Sequence, residues 1–172
     1  LFIAPLKLKE IIIALIFTAL VRTLIGLVPA ILLTSPLFGV SILKLGVPLL
    51  FLFLSLYIFG ITLGLFVSAG LIRFGPSFEN IAWSSLFLLA PLGCIYYPIE
   101  ILPNFFQIIA KGLPLVYIFD ETRNILVNGF VNYENLKQAY FLNLVYLALG
   151  MIMFYFSFLK ARIKGTLINM GE

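Results

Sequence analysis

From Ile11 to Leu43 the chain runs for 33 residues with a single charge, Arg22, and long apolar runs recur until close to its end. A backbone inside hydrocarbon has no water to bond to and must satisfy its own N–H and C=O groups, so such runs read as membrane-spanning helices of about 20 residues each. The whole sequence is 63% hydrophobic and 10% charged, with a mean hydropathy of +1.17, far beyond what a soluble domain needs. The expected fold is an all-α integral membrane protein, one transmembrane domain over residues 1–172. Spans are expected at about 12–34, 46–72, 81–97 and 139–159. A re-entrant hairpin of half-helices, 98–129, is expected between the third and fourth.

The hairpin reading comes from Ala90 to Gly129. Pro98, Pro103, Gly112 and Pro114 break the apolar run, while Phe105, Phe106, Ile108 and Ile109 keep it oily. Proline suits a first helical turn and glycine the position past a last one, so Pro103 to Lys111 and Pro114 to Asn128 read as two short helices. They reach about 14 and 22 Å, short of a hydrocarbon core about 30 Å thick. Non-helical backbone at that depth must be covered by protein or line a wet cavity, so the segment reads as a path lining or a plug at its mouth.

Composition also excludes. The sequence has no histidine and one cysteine, Cys94, so a disulfide framework, a metal cluster and histidine acid–base chemistry are not expected; nor does a GxxxxGK[ST] phosphate loop occur. The start at Leu1, without methionine or a signal series, reads as the back part of a longer polypeptide. Its first ten residues, with Lys7, Lys9 and Glu10 around Pro5 and alternating leucines, suit an amphipathic surface helix or the basic flank of the first span.

Pro29, Thr34, Ser35 and Pro36 read as a kinked first span with a short outer connection. Gly60, Gly64, Ser68 and Gly70 read as a stripe for close helix packing. RFGPSFEN, residues 73–80, reads as a tight elbow, and NYENLKQ, 132–138, as a water-exposed connection. Four spans place Lys7, Lys9, Arg73, Lys160, Arg162 and Lys164 on one face, against Lys44, Lys111, Arg123 and Lys137 on the other. The richer face is expected to be cytoplasmic, which puts both termini inside and the hairpin outside.

The central run resembles the signature of type-2 ABC transporter permeases, the ABC-2 family. The matching positions are Pro91, Gly93, Tyr96, Tyr97, Pro98, Glu100, Leu102 and Pro103, then Pro114, Leu115, Arg123, Leu126 and Gly129. Cys94 and Leu92 depart from the small and serine residues usual there. The segment Ala4 to Glu10 is similar to the stretch before the family's third span, and Phe38–Gly39 to a pair common in the family. The resemblance covers essentially the whole chain and implies that it corresponds to the third through sixth of six spans.

It also implies a permease in the cell membrane, a dimer with a second permease protomer and with ABC ATPase subunits, surrounded by lipid. ATP and Mg would belong to the ATPase and no cofactor to this chain. Pro5, Leu6, Lys7, Lys9, Glu10, Arg73 and Glu79 would be ATPase-coupling candidates. The implied function is export of a hydrophobic or amphipathic molecule, a lipid or a lipid-linked glycan. The rival reading is a membrane scaffold or a lipid-acting intramembrane protein. Nucleic acid is not an expected partner.

Several residues carry two readings. Arg22 costs about 2.5–3.5 kcal/mol at a helix centre, so it meets a headgroup or a distant acid, or else is held by carbonyls and hydroxyls such as Thr18 or reaches the interface. Glu100 caps the first half-helix, pairs with Lys111 or Arg123, or contacts substrate. Tyr96 and Tyr97 are interfacial aromatics or a gate. Asp120, Glu121 and Arg123 read as a solvated or interfacial cluster, with Arg123 also a path candidate.

Overall fold

The structure, a computed structural model, describes residues 8–39 and 45–164, and every regular element among them is helical. In chain order these are α1 (Leu8–Phe38), α2 (Val47–Phe74), α3 (Phe78–Leu92), a 3₁₀ turn (Ile99–Ile101), α4 (Asn104–Ala110), α5 (Pro114–Asn128) and α6 (Tyr133–Lys164). Among the described residues three helical segments are long and apolar enough to cross a membrane: Ile16–Thr34 in α1, Val47–Phe74, and Tyr133–Ile163 in α6. The chain is therefore an all-helical membrane protein. It divides into two units, Leu1–Leu49 and Leu50–Glu172.

In the first unit α1 continues through both Pro29 and Pro36. Each proline removes one ladder hydrogen bond. Thr18, Thr23 and Thr34 donate to the carbonyls of Ala14, Ala19 and Ala30, four residues back, so their hydroxyls are satisfied within the helix.

In the second unit α2 and α6 are joined by polar contacts in apolar surroundings. Asn143 Nδ2 donates to the carbonyl of Ser55 at 2.9 Å and to its Oγ at 2.8 Å, and both residues are fully buried. Tyr140 donates to the Phe51 carbonyl at 2.8 Å. Further along, Gly150 lies against Leu65 and the Thr62 carbonyl. Asn143 Oδ1, buried and without a partner, offsets part of what the amide contributes. Asn143→Ala is accordingly expected to destabilise by about 0.6–1.7 kcal/mol, the range of interhelical hydrogen bonds in membranes. Equilibrium unfolding in mixed micelles checks this, and a loss above about 3 kcal/mol would show that the side chain does more.

The stripe on α2 is filled at one end only within this chain. A Cβ on Gly60 or Gly64 would meet nothing within 4 Å, whereas one on Gly70 would strike the Phe78 ring. Of its three glycines only Gly70 is hemmed in, by a ring folded back from α3 rather than by a helix backbone. The elbow is tight as expected: Gly75, at φ 79°, donates to Leu71 O, and Phe78 and Glu79 donate to Gly75 O and Pro76 O.

α3 stops at Leu92 after 15 residues, about 22 Å, where the sequence predicts a span reaching 97. Gly93 N closes on Leu89 O at 2.7 Å, and Cys94 takes a positive φ of 53°, which no helix continues through. α6 starts earlier than expected. Asn132 Oδ1 accepts the Glu134 N–H at 3.0 Å, an N-cap that turns most of the predicted 132–138 connection into helix.

Candidate functional site

The segment between α3 and α6 is built on backbone carbonyls taken up by side chains. Pro103 and Pro114 open α4 and α5 with no need for their own N–H groups; Gly129, at φ 75°, ends α5 in the left-handed region. Where the backbone leaves the helical ladder, Gln107 Nε2 donates to Leu102 O at 2.8 Å, Tyr117 to Lys111 O at 3.0 Å and Tyr146 to Gly112 O at 3.0 Å. The outward side remains oily, with Ile101, Phe105 and Ile108 all exposed. Inside, Cys94, Ala110 and Val116 form a small core with Tyr97, Ile99, Leu102 and Leu113 against it.

Tyr97 belongs to that core and donates to Pro91 O at 2.9 Å, so its hydroxyl is spent on the corner after α3. Tyr96, one residue earlier, is 79% exposed. Glu100 lies exposed on the 3₁₀ turn. The expected cap is not formed: α4 has Pro103 at its N-cap and no side-chain bond there. The expected pairing also fails, because Arg123 Nη1 donates instead to the Cys94 carbonyl at 2.9 Å. The positive φ at Cys94 aims that carbonyl away from the helix path and toward α5.

Of the expected solvated or interfacial cluster, Asp120 and Arg123 are half-buried beside an open groove, and Glu121 departs from it. Glu121 is fully buried. Its Oε1 accepts the Asn132 backbone N–H at 2.7 Å and its Oε2 the Asn135 Nδ2 at 3.2 Å, fastening the end of α5 to the start of α6. Arg123 Nε and Nη2 are buried without a partner. A shallow groove of about 350 Å³ lies beside them, lined by Pro98, Asp120, Arg123, Asn128, Asn132 and Asn135 among others. The amides of this turn carry no apolar periodicity, which is why sequence reading passed over them; the signal available was an N-cap pattern, Asn132 two residues before Glu134.

The remaining candidates stand apart. Arg22 is exposed on α1, and Thr18, expected beside it, donates to Ala14 O. Arg73 and Glu79 share the exposed elbow, Arg73 over the Phe74 ring at 5.4 Å and Glu79 accepting from Trp83 Nε1 at 3.4 Å. Lys9 and Glu10 fall in the first turn of α1; Pro5, Leu6 and Lys7 lie outside the described residues. Among the described residues no three His, Cys, Asp or Glu side chains gather. Comparison with family models, with curated proteins and with solved structures finds no match to this chain.

Proposed function

We propose that this chain is the permease subunit of an ATP-driven exporter of the ABC-2 type, multi-pass in the cell membrane with cytoplasmic termini. It acts as a dimer with separate ATPase subunits that hold ATP and Mg. It moves a hydrophobic or amphipathic molecule, a lipid or a lipid-linked glycan outward. In this reading α3 with the 93–98 corner is the third of four crossings, and α4 and α5 form an outer re-entrant hairpin.

One observation carries the reading beyond the motif. Around α4 and α5 an oily outer side, Ile101, Phe105 and Ile108, accompanies carbonyls at Leu102, Lys111 and Gly112 that each receive a side-chain donor. A loop in water has no need to hide its carbonyls this way, whereas backbone at membrane depth must. The hairpin then works as the outer lid of the path, and the Arg73–Glu79 elbow is the described element placed to receive ATPase motion.

The test is purification of the full-length protein from its native membrane. An ATPase subunit is expected to co-purify, with hydrolysis that changes when the permease is present. Arg73→Ala with Glu79→Ala, both at exposed positions, is expected to lower that response several-fold while the melting temperature holds. A folded permease that recruits no ATPase would refute the proposal.

A further inference from the structure

We propose that the groove between α5 and the start of α6 binds the headgroup of a phospholipid that carries both a phosphate and a primary ammonium, as phosphatidylethanolamine does. The inference does not rest on the export reading and holds for a scaffold equally.

It starts from charges left over. Among the described residues the ion pair within 4.0 Å is Lys137–Glu134, so Arg123 has no carboxylate partner. Its Nη1 bonds only the Cys94 carbonyl, and two further nitrogens are buried unpartnered. Asp120 receives one weak contact, from Asn135 Nδ2 to Oδ2 at 3.3 Å, and its Oδ1 none. A cation short of an anion and a carboxylate short of a cation thus line one groove. They stand three residues apart on α5, on one helix face, without reaching each other. A ligand bearing both charges satisfies both; a purely anionic one meets Asp120, and a purely cationic one meets Arg123.

The groove also lies where a headgroup lies. Asn132 and Asn135 bracket the first turn of the segment Tyr133–Ile163, which is long and apolar enough to cross a membrane, and Tyr133 is exposed beside them as aromatics at the interface are. Leu142, Val145 and Leu149 follow Asn135 at helical spacing on the same face, and Val145 and Leu149 are exposed. They offer an acyl chain a track leading away from the polar groove. The phosphate takes the side-chain amide of Asn132 and the charge of Arg123, both of which line the groove. The ammonium donates to Asp120. Choline, with no N–H, cannot do so.

Native mass spectrometry of the full-length protein tests this with phosphatidylethanolamine, phosphatidylcholine and phosphatidylglycerol of identical chains. One phosphatidylethanolamine per chain is expected to be retained, with the other two held at least about tenfold less tightly, since a charge-assisted hydrogen bond is lost in each case. Asp120→Asn is expected to erase the preference over phosphatidylcholine. Val127→Trp, at an 81% exposed position in the groove wall, is expected to weaken every lipid without unfolding the protein. Free phosphoethanolamine is expected not to displace the lipid at equal concentration; displacement would make this a soluble-ligand site and overturn the lipid assignment. Equal retention of the three lipids, or a preference that survives both variants, would overturn the site itself.

Discussion

Replacing Glu121 by alanine is expected to destabilise the protein by about 2–4 kcal/mol. The carboxylate is fully buried and holds two donors, the Asn132 backbone N–H and the Asn135 amide. Hydrogen bonds to a charged acceptor contribute about 1.5–3 kcal/mol each, and a buried donor left unpaired adds its own desolvation cost. Glu121→Gln keeps one acceptor oxygen and the side chain's volume but sets its own N–H group against the second donor, so a loss of about 1–3 kcal/mol, smaller than that of alanine, is expected from it. The ordering wild type, Gln, Ala in thermal melts in detergent is the measurement. Should Ala match wild type within about 0.5 kcal/mol, the turn between α5 and α6 is held by something other than this carboxylate. Because Asn132 also caps α6, the alanine variant is further expected to fray the first turn of α6, seen as faster amide exchange at Glu134 and Asn135.

Much of the helical framework could be read from residue order because it rests on local rules. Pro103 and Pro114 at helix starts and Gly112 and Gly129 past helix ends place α4 and α5 to within a residue of where they lie. Runs of apolar residues likewise locate α1, α2 and α6, since a spanning helix declares itself by length and composition alone. What stayed hidden depends on which side chain meets which carbonyl. The partner of Arg123 is the carbonyl of Cys94, 29 residues earlier, and a backbone acceptor leaves no mark in a sequence; Glu100, being charged, looked like the better partner. The burial of Glu121 is invisible for the same reason. Its donors are a main-chain N–H and an amide, so no basic residue nearby announces it. Gly60 and Gly64 show the other side of this: small residues at near four-residue spacing permit close packing, and within this chain no neighbour fills the space beside them.

The corner after α3 gives the second large effect. Gly93 has an ordinary φ of −76°, so its need for glycine is one of room. An added Cβ would stand 2.8 Å from Leu115 Cδ1 and 2.9 Å from the Leu89 carbonyl. The leucine methyl can swing aside, but the carbonyl cannot, since it accepts the Gly93 N–H at 2.7 Å. Gly93→Ala is expected to cost about 1–3 kcal/mol, the range for overpacking a filled site. In a Leu115→Ala background the same change is expected to cost less by about 0.5–1 kcal/mol, because the Cδ1 clash is gone while the contact with the Cβ of residue 115 at 3.0 Å stays. Strict additivity would place the whole penalty on the carbonyl and that Cβ. A local readout separates this from general loss of stability. Cys94, the next residue, is fully buried, and its carbonyl holds Arg123, so forcing α3 away from α5 opens both at once. Maleimide labelling of Cys94 in the alanine variant is expected to run at least about tenfold faster well below the melting temperature, reflecting a local opening cheaper by more than about 1.4 kcal/mol. A labelling rate that rises only as the protein melts would mean the corner yields with the whole fold, and that α3 and α5 are not docked through Gly93.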